Sequence, residues 1–349
     1  MNGYNKETNI IDFYMACNNN KNVLVDDYSL CEDGKRRQKS VAESLFESQM
    51  IALALFSQSD GEYNTADISN TLLMIALNHL NSSDFYKLEI GSKLQALHNE
   101  YELNYYKEAR LANLCVNNKA EVLKAYSNNS RFTDFMKYIS KLSTIQRKGW
   151  LDWNVQVDRK ESDSDHIYGT QMLALAMYFE NYEEYKDLDI KKILLMLAIH
   201  ELGEAIIGDL TAKDIKKEDK QVIEHEAFKT IISNLDLTDD LFNLYLEFDN
   251  KTSPEARFAK FIDKFECDLQ SKVLDETAYV DIEHQEGNKF AKDDLVVSLL
   301  KKYEGDRFAW SKMWLKFGQI VYGYDKQFVA VSNYAMNHNL VKNNSRRVS

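Results

Sequence analysis

The side chains best suited to chemistry follow the apolar run Ile193–Ile199, in the segment His200-Glu201-Leu202-Gly203-Glu204-Ala205-Ile206-Ile207-Gly208-Asp209. His200 and Glu201 are adjacent, and Glu204 lies one helical turn after His200, so the two would share a face if the helix continued. An imidazole and three carboxylates at the end of a buried helix are too polar for an ordinary apolar core. The segment alone is compatible with a chemical site or with a solvated helix end.

Two further residues extend this pattern in both directions along the chain. His166 closes the run Ser162–His166, which opens the preceding helix, and Asp263 lies among apolar residues of a later helix. Taken singly, His166 is compatible with an ordinary capping or surface residue. Asp263, taken singly, is compatible with a salt bridge to a lysine.

The ordered set as a whole resembles the HD-domain metal phosphohydrolases, and within them the nucleoside 5′-monophosphate phosphohydrolases of the 5′-deoxynucleotidase-like branch. The matching elements, in chain order, are Arg147 and Trp150, Ser164-Asp165-His166, His200 to Asp209 with Glu204 and Gly208-Asp209 in place, Glu255-Ala256, and Asp263. The resemblance covers about residues 132–275.

The resemblance implies one divalent metal held by four side chains, His166, His200, Glu201 and Asp263. Mixed imidazole and carboxylate ligands suit Mn, Co, Fe or Zn better than Mg or Ca. Such a metal would lower the pKa of a bound water and hold one phosphate oxygen. Glu204 would act as general acid or base, and Asp209 would position the sugar or the water. Arg147 would hold the phosphate, Lys213 would line the substrate site, and Trp150 would either flank the base or sugar or pack in the core.

Two positions depart from the family pattern. Glu201 stands where the family usually has aspartate, and it is one methylene longer while still offering a carboxylate oxygen. Lys148 follows Arg147 where the deoxynucleotidase branch has a bulkier residue that contributes to sugar discrimination. The resemblance therefore implies a nucleotide substrate without fixing its sugar.

The elements that would position these residues are predicted to be helices. One proline and 12 glycines in 349 residues are too few for the many turns of a sandwich or barrel, and no segment shows strand alternation over a useful length. The sequence therefore predicts an all-α fold. Its clearest predicted helices are Asp163–Phe179, Asp189–Leu202, Lys217–Asn234, Ser253–Asp275, and others between Asp293 and about His338.

Charge and composition restrict the partners. Lysine and arginine number 43 against 55 acidic residues, a net charge of −12, and the only dense basic cluster is Lys35–Arg37. This balance argues against nucleic acid as a partner. The longest apolar runs have seven residues, well short of the roughly 20 that span a bilayer, and residues 1–11 do not form a signal peptide. With four cysteines predicted to be reduced thiols, we expect a cytoplasmic protein with a small nucleotide substrate.

An internal repeat divides the chain. Gln49–Phe56 and Gln171–Tyr178 share five of eight residues at an offset of 122, and Asp67–Ala76 resembles Asp189–Ala198 at the same offset. Further along, Glu108–Ala112 resembles the segment from Glu255, at an offset of 147. We therefore predict two related helical HD-like lobes, residues 1–130 and 131–349.

The first lobe is predicted to be degenerate, because the repeat places unsuitable residues opposite the second lobe's site. Opposite Arg147, His166, His200, Glu201, Glu204 and Asp263 stand Val25, Ser44, Asn78, His79, Ser82 and Val116. The first lobe would then replace the second subunit of a dimer, which makes the chain a pseudo-dimer and a monomer or weak homo-oligomer.

The leading functional prediction is an enzyme, a metal-dependent hydrolase of nucleoside 5′-monophosphates. One alternative is an HD hydrolase of nucleoside triphosphates or phosphodiesters, with Lys213, Lys216 and Lys217 available for a longer polyanion. Another is a nucleotide-sensing protein that kept the HD shape without catalysis.

Overall fold

The computed structural model describes residues 5–31, 33–58, 65–78, 89–210 and 215–341. The helices of the first part of the chain are α1 Lys6–Asn18, α2 Val41–Ser57, α3 Thr65–Asn78, α4 Glu89–Asn104, α5 Tyr106–Asn117, α6 Lys119–Ala125, α7 Ser130–Leu142, α8 Lys148–Asp152 and α9 Asp163–Glu180. They are followed by α10 Tyr182–Tyr185, α11 Ile190–Ile199, α12 Glu204–Ile207, α13 Lys217–Ile232, α14 Thr238–Asn250, α15 Pro254–Thr277, α16 Asp294–Lys302, α17 Ala309–Tyr322 and α18 Lys326–Asn337. The all-α prediction is confirmed, and none of the described helices is long and apolar enough to cross a membrane.

One hairpin departs from the expected absence of strands. Strands β1 Leu24–Leu30 and β2 Arg36–Ser40 pair antiparallel, from Leu24 opposite Ser40 to Leu30 opposite Arg36. The inward face of β2 carries Arg37 and Lys39 rather than apolar side chains, and these pair with carboxylates of α2. Charged residues therefore occupy the positions where hydrophobic alternation would have marked a strand.

Helices α9 and α11 form the centre of the molecule. Nearly every residue of α9 is buried, and α1, α2, α11 and α15 pack against it. Ser162 caps α9 in a capping box with Asp165, and Asp189 caps α11 through two backbone amides. Pro254 begins α15 after the cap Ser253. These caps fix the helix starts close to the predicted positions.

Helices α2 and α9 begin 122 residues apart and lie against each other. Gln49 Nε2 donates to Gln171 Oε1 at 2.6 Å, and Gln171 Nε2 donates back to Gln49 Oε1 at 3.0 Å. The helix caps exchange partners in the same way, since each cap serine donates to the acid of the opposite capping box. The two bonds, each 2.6 Å, join Ser40 to Asp165 and Ser162 to Glu43.

Two arginines that are also 122 residues apart neutralise these buried acids. Arg37 pairs with Glu43 and donates to the Ser143 carbonyl, while Arg159 pairs with Asp165 and donates to the carbonyl of Lys21. Residues 21 and 143 are themselves 122 apart. We call residues 1–130 the first half and residues 131–349 the second half. Each of these contacts between the halves thus has a counterpart running in the opposite direction.

The repeat predicted from the sequence shows an exchange of charge in one buried cluster of each half. In the first half Lys39 and Lys119 lie 2.8 and 2.7 Å from Glu47, and both also pair with the less buried Asp27. In the second half two acids surround one lysine, with Lys21 Nζ 2.5 Å from both Glu161 and Glu266. The predicted repeat aligns Lys39 with Glu161 at an offset of 122 and Lys119 with Glu266 at an offset of 147.

A buried carboxylate joins α15 to α17. Asp268 accepts hydrogen bonds from Lys264 Nζ at 2.5 Å and from the Tyr322 hydroxyl at 2.7 Å. A methyl group at Gly318 would overlap this carboxylate, so the absence of a side chain there allows the two helices to approach closely. Burial raises the pKa of Asp268 to about 6, against the opposing effect of Lys264.

This raised pKa predicts a pH-dependent stability. Because folding favours the protonated form of Asp268, its contribution is complete below about pH 4 and is lost as pH rises through about 6. The free energy of unfolding of the protein, minus that of Asp268→Asn, should fall by about 2 kcal/mol between pH 4.5 and 7.5. Urea unfolding at several pH values measures it. Asp306→Asn, at a carboxylate outside the core, should show no such trend, and a constant difference for Asp268→Asn would contradict the prediction.

Candidate metal centre

The four predicted ligands come from three helix positions far apart in sequence and lie together. His166 is in the second turn of α9, His200 caps the C-terminal end of α11 with Glu201 following, and Asp263 is in α15. One ligand atom from each residue lies within 4.8 Å of the others. The shortest of these distances join Asp263 Oδ1 to His166 Nε2 at 3.2 Å and Glu201 Oε1 to His200 Nε2 at 3.4 Å.

Both imidazoles are held with Nε2 facing this centre. His166 Nδ1 lies 2.7 Å from Glu266 Oε2, and His200 Nδ1 lies 2.7 Å from the Leu197 carbonyl. His200 Nε2 is buried and has no hydrogen-bond partner among the described residues. Two inward nitrogens and two carboxylates, with the far ring nitrogens bound by acceptors, fit a divalent transition metal.

The acids of the site differ in proton affinity. Burial by itself would raise the pKa of Asp263, but the adjacent imidazoles of His166 and His200 outweigh that effect and hold the pKa well below its usual range. Burial, reinforced by the charges of Glu201 and Asp163, raises the pKa of Glu204 well above its usual value. Asp263 is thus held ionised, as a ligand requires, while Glu204 readily carries a proton, as a general acid requires.

Arg147 is surrounded by carboxylates. Its Nη1 lies 3.4–3.8 Å from four of them, which belong to Asp163, Glu201, Glu204 and Asp209. Asp209 also accepts from the backbone amide of Lys148 at 2.7 Å, which ties it to the start of α8. The single guanidinium therefore balances an acidic wall and faces the same space as Glu204.

Two cavities meet at Glu201, Glu204, Asp263 and Lys220, all of which line both. The smaller, about 290 Å³, is also lined by Arg147, Trp150, Asp209 and Trp314. The larger, about 560 Å³, is also lined by Lys260, Tyr245 and Asp249. Together they give the centre room for a small substrate on two sides.

The remaining predicted residues are placed as follows. Trp150 is mostly buried, donates from Nε1 to Glu161 at 2.5 Å and packs against Trp310 and Trp314, while also lining the smaller cavity. Trp150 therefore packs in the core as one alternative predicted, while its contact with a base or sugar stays a prediction. Lys213 lies outside the described residues, as do His79 and Ser82 of the first half.

Sequence reasoning missed three residues here, Lys220, Lys260 and Glu266. Lys260 and Glu266 lie three residues before and after Asp263, so helical spacing places all three on one side of α15 and could have indicated them. Lys220 lies on a separate helix, α13, and nothing in its local sequence points to the site.

Comparison with known proteins gives consistent similarities. A family model described as "HD domain" matches residues 139–299. A Dictyostelium discoideum protein named 5′-deoxynucleotidase HDDC2 is 35% identical over 147 residues, covering 41% of this chain and 76% of that protein. Its Homo sapiens namesake is 36% identical over 156 residues, covering 44% and 70%. The Schizosaccharomyces pombe 5′-deoxynucleotidase hdd1 is 34% identical over 143 residues, covering 39% and 68%.

If these four side chains hold a metal, His200→Ala should abolish tight binding without unfolding the protein. Loss of a direct ligand should weaken Mn²⁺ affinity by more than the roughly 10–100-fold typical of residues that only orient ligands. Calorimetric titration of the metal-stripped protein measures the affinity, and thermal unfolding in chelator checks the fold. His225→Ala is the control, because that imidazole contacts Asp249 outside the ligand set. Unchanged affinity in His200→Ala would rule out the site.

Proposed function

We propose that this chain, which belongs to the HD-domain family together with the 5′-deoxynucleotidases that it resembles, hydrolyses nucleoside 5′-monophosphates to a nucleoside and inorganic phosphate. The observation that carries the proposal is the convergence of two inward imidazoles and two carboxylates beside Glu204, an acid whose pKa is raised. Metal ligands and a proton donor in one cavity suit the metal-assisted hydrolysis of a phosphate monoester.

The metal would be held by His166, His200, Glu201 and Asp263, and we propose Mn, Co, Fe or Zn. When bound, such an ion supplies a water of lowered pKa and neutralises charge on a phosphate oxygen. The long side chain of Glu201 reaches the centre from the turn after α11, so glutamate serves where relatives of this kind usually have aspartate.

The chain's own residues supply the remaining functions. Glu204 gives its proton to the 5′ oxygen of the departing nucleoside, which avoids the release of an alkoxide. The guanidinium of Arg147 pairs with the incoming phosphate in addition to the carboxylates, and it can bind the phosphate in a bidentate manner. Asp209, anchored by the Lys148 amide, holds the sugar or the attacking water.

A nucleoside triphosphate is the second candidate substrate. The larger cavity carries Lys220, Lys251 and Lys260 beside Glu201, and such cations would suit a longer polyanion. Product analysis separates the two candidates, because a monophosphatase releases phosphate whereas a triphosphohydrolase of this kind leaves triphosphate.

The test is a phosphate-release screen of the metal-stripped protein. Mn²⁺, Co²⁺, Fe²⁺, Zn²⁺ or Mg²⁺ is added in turn with ribo- and deoxynucleoside mono- and triphosphates. Release from monophosphates, dependent on metal and lost in His200→Ala, is the expected result. Metal binding without turnover of any nucleotide would instead favour a nucleotide-sensing protein.

Glu204→Ala should lower kcat by about 10²–10⁴-fold, the usual size of an acid–base contribution, while leaving metal affinity intact. Steady-state kinetics with the best monophosphate measures the change. The control is Glu226→Ala, which removes an exposed carboxylate of α13. Near-normal kcat in Glu204→Ala would contradict the assigned role.

We also propose that residues 1–130 form a degenerate HD-like lobe that pairs with the lobe of residues 131–349 as a second subunit would. The exchanged bonds of Gln49 with Gln171 and of Ser40 and Ser162 with the opposite acids support this pairing. Contacts of equivalent residues with each other are typical of an interface with two-fold symmetry.

The pairing predicts a monomer in solution, because the face that a homodimer would use is already covered within the chain. Light scattering coupled to size exclusion should give about the chain mass of 40.6 kDa. A tight symmetric dimer formed through the catalytic lobe would contradict the proposal.

A further inference from the structure

We propose that the first half of the chain is part of the metal centre, because its Lys21 and Tyr14 hold the carboxylate of Glu266 that orients the ligand His166. The inference rests on the proposed metal site but not on the identity of the substrate. Lys21 and Tyr14 are positioning residues, since they act on the metal ligand only through Glu266.

Every oxygen of Glu266 is occupied. Oε2 lies 2.7 Å from His166 Nδ1, and Oε1 accepts from Lys21 Nζ at 2.5 Å and from the Tyr14 hydroxyl at 2.9 Å. The side chain of Glu266 is 0% exposed and that of Lys21 is 4% exposed. Glu266 thus has one fixed position, and that position sets the rotation of the His166 ring.

The positive charge of Lys21 stabilises the buried carboxylate of Glu266 in this position. A buried carboxylate without a cation is strongly destabilising. The ammonium of Lys21, 2.5 Å from Glu266 Oε1, supplies that cation within the core. Lys21 also binds Glu161, whose other oxygen accepts from Trp150 at the wall of the smaller cavity.

Helix α9 provides the space for this pair. Gly169 lies one turn after His166, and a methyl group there would overlap both Glu266 Oε1 and Lys21 Nζ. The ammonium of Lys21 therefore lies against Gly169, where α9 has no side chain, next to the turn that carries His166. An acceptor on the far ring nitrogen is the usual means of fixing a ligating histidine, and here it depends on a residue more than 100 positions away.

The alternative is that Lys21 only stabilises the fold and has no effect on the metal ligands. A second buried lysine of the first half, Lys39, provides a matched control that separates the two possibilities. Lys39 is also a buried lysine, 5% exposed, with two carboxylate partners, Asp27 and Glu47. Its cluster is the counterpart of the Lys21 cluster, but none of its partners contacts a predicted metal ligand. Lys21→Met and Lys39→Met should therefore cost similar stability and differ at the metal.

The experiment compares the two variants in the full-length protein. Calorimetric titration with Mn²⁺ should show a 10–100-fold loss of affinity in Lys21→Met and no more than a twofold change in Lys39→Met. The visible spectrum of bound Co²⁺, which reports ligand geometry, should shift only in Lys21→Met. Thermal unfolding in the presence of chelator should show a lower Tm for both variants than for the parent protein. Equal Mn²⁺ affinities and Co²⁺ spectra for the two variants would overturn the inference.

Two gentler variants keep the inference testable if Lys21→Met does not fold. Tyr14→Phe removes one donor to Glu266 and should weaken Mn²⁺ binding by about 3–10-fold, while Glu266→Gln keeps the shape and removes the charge and should give the larger loss. Unchanged Mn²⁺ affinity in both would equally overturn it. Failure of the proposed function looks different: the parent protein would then bind Mn²⁺ and lose it on Lys21→Met, yet release no phosphate from any monophosphate.

Discussion

Burying a carboxylate is costly unless a cation or hydrogen-bond donors meet it, and this constraint acts at three places where segments of this protein converge. Glu43 and Asp165 meet Arg37 and Arg159 where α2 and α9 begin. Glu161 and Glu266 meet Lys21. The acidic wall of the candidate site meets Arg147. The pairs of Arg37 with Asp165, of Arg159 with Glu43, and of Lys21 with Glu161 and Glu266 join segments distant in sequence, so compensating these buried charges also brings those segments together.

Much of the fold was accessible from local sequence. The predicted start of α9 is confirmed, and Asp189 and Ser253 are the caps of α11 and α15 rather than their first residues, because caps and a first-turn proline are local signals. The predicted helix Asp189–Leu202 was too long, since α11 ends at Ile199 and turns follow at residues 200–203, where Glu201 lies. The hairpin was missed because its inward face is charged.

The site was predictable to a similar extent. Resemblance picked out His166, His200, Glu201 and Asp263, and the structure brings them together, while their roles remain predictions. Lys21 had no comparable signal. Its contact with Glu266 spans 245 residues, and a lysine within the polar run 18–22 carries no indication that its charge is needed in a distant core. Only the folded arrangement reveals such a partner.

The two buried clusters, around Glu47 in the first half and around Lys21 in the second, differ in charge, and this difference bears on whether the two halves could exist as separate chains. In a dimer of identical chains, equivalent positions carry the same residue, so a pair of second halves would place Ser143 where Lys21 now stands. Glu161 and Glu266 would then face each other with no cation between them. In a single chain the two halves can carry different residues at equivalent positions, because a substitution in one half does not recur in the other. On the pairing that we propose, a second half could not serve as its own partner, and without the first half the candidate metal centre would hold two buried acids with no cation between them.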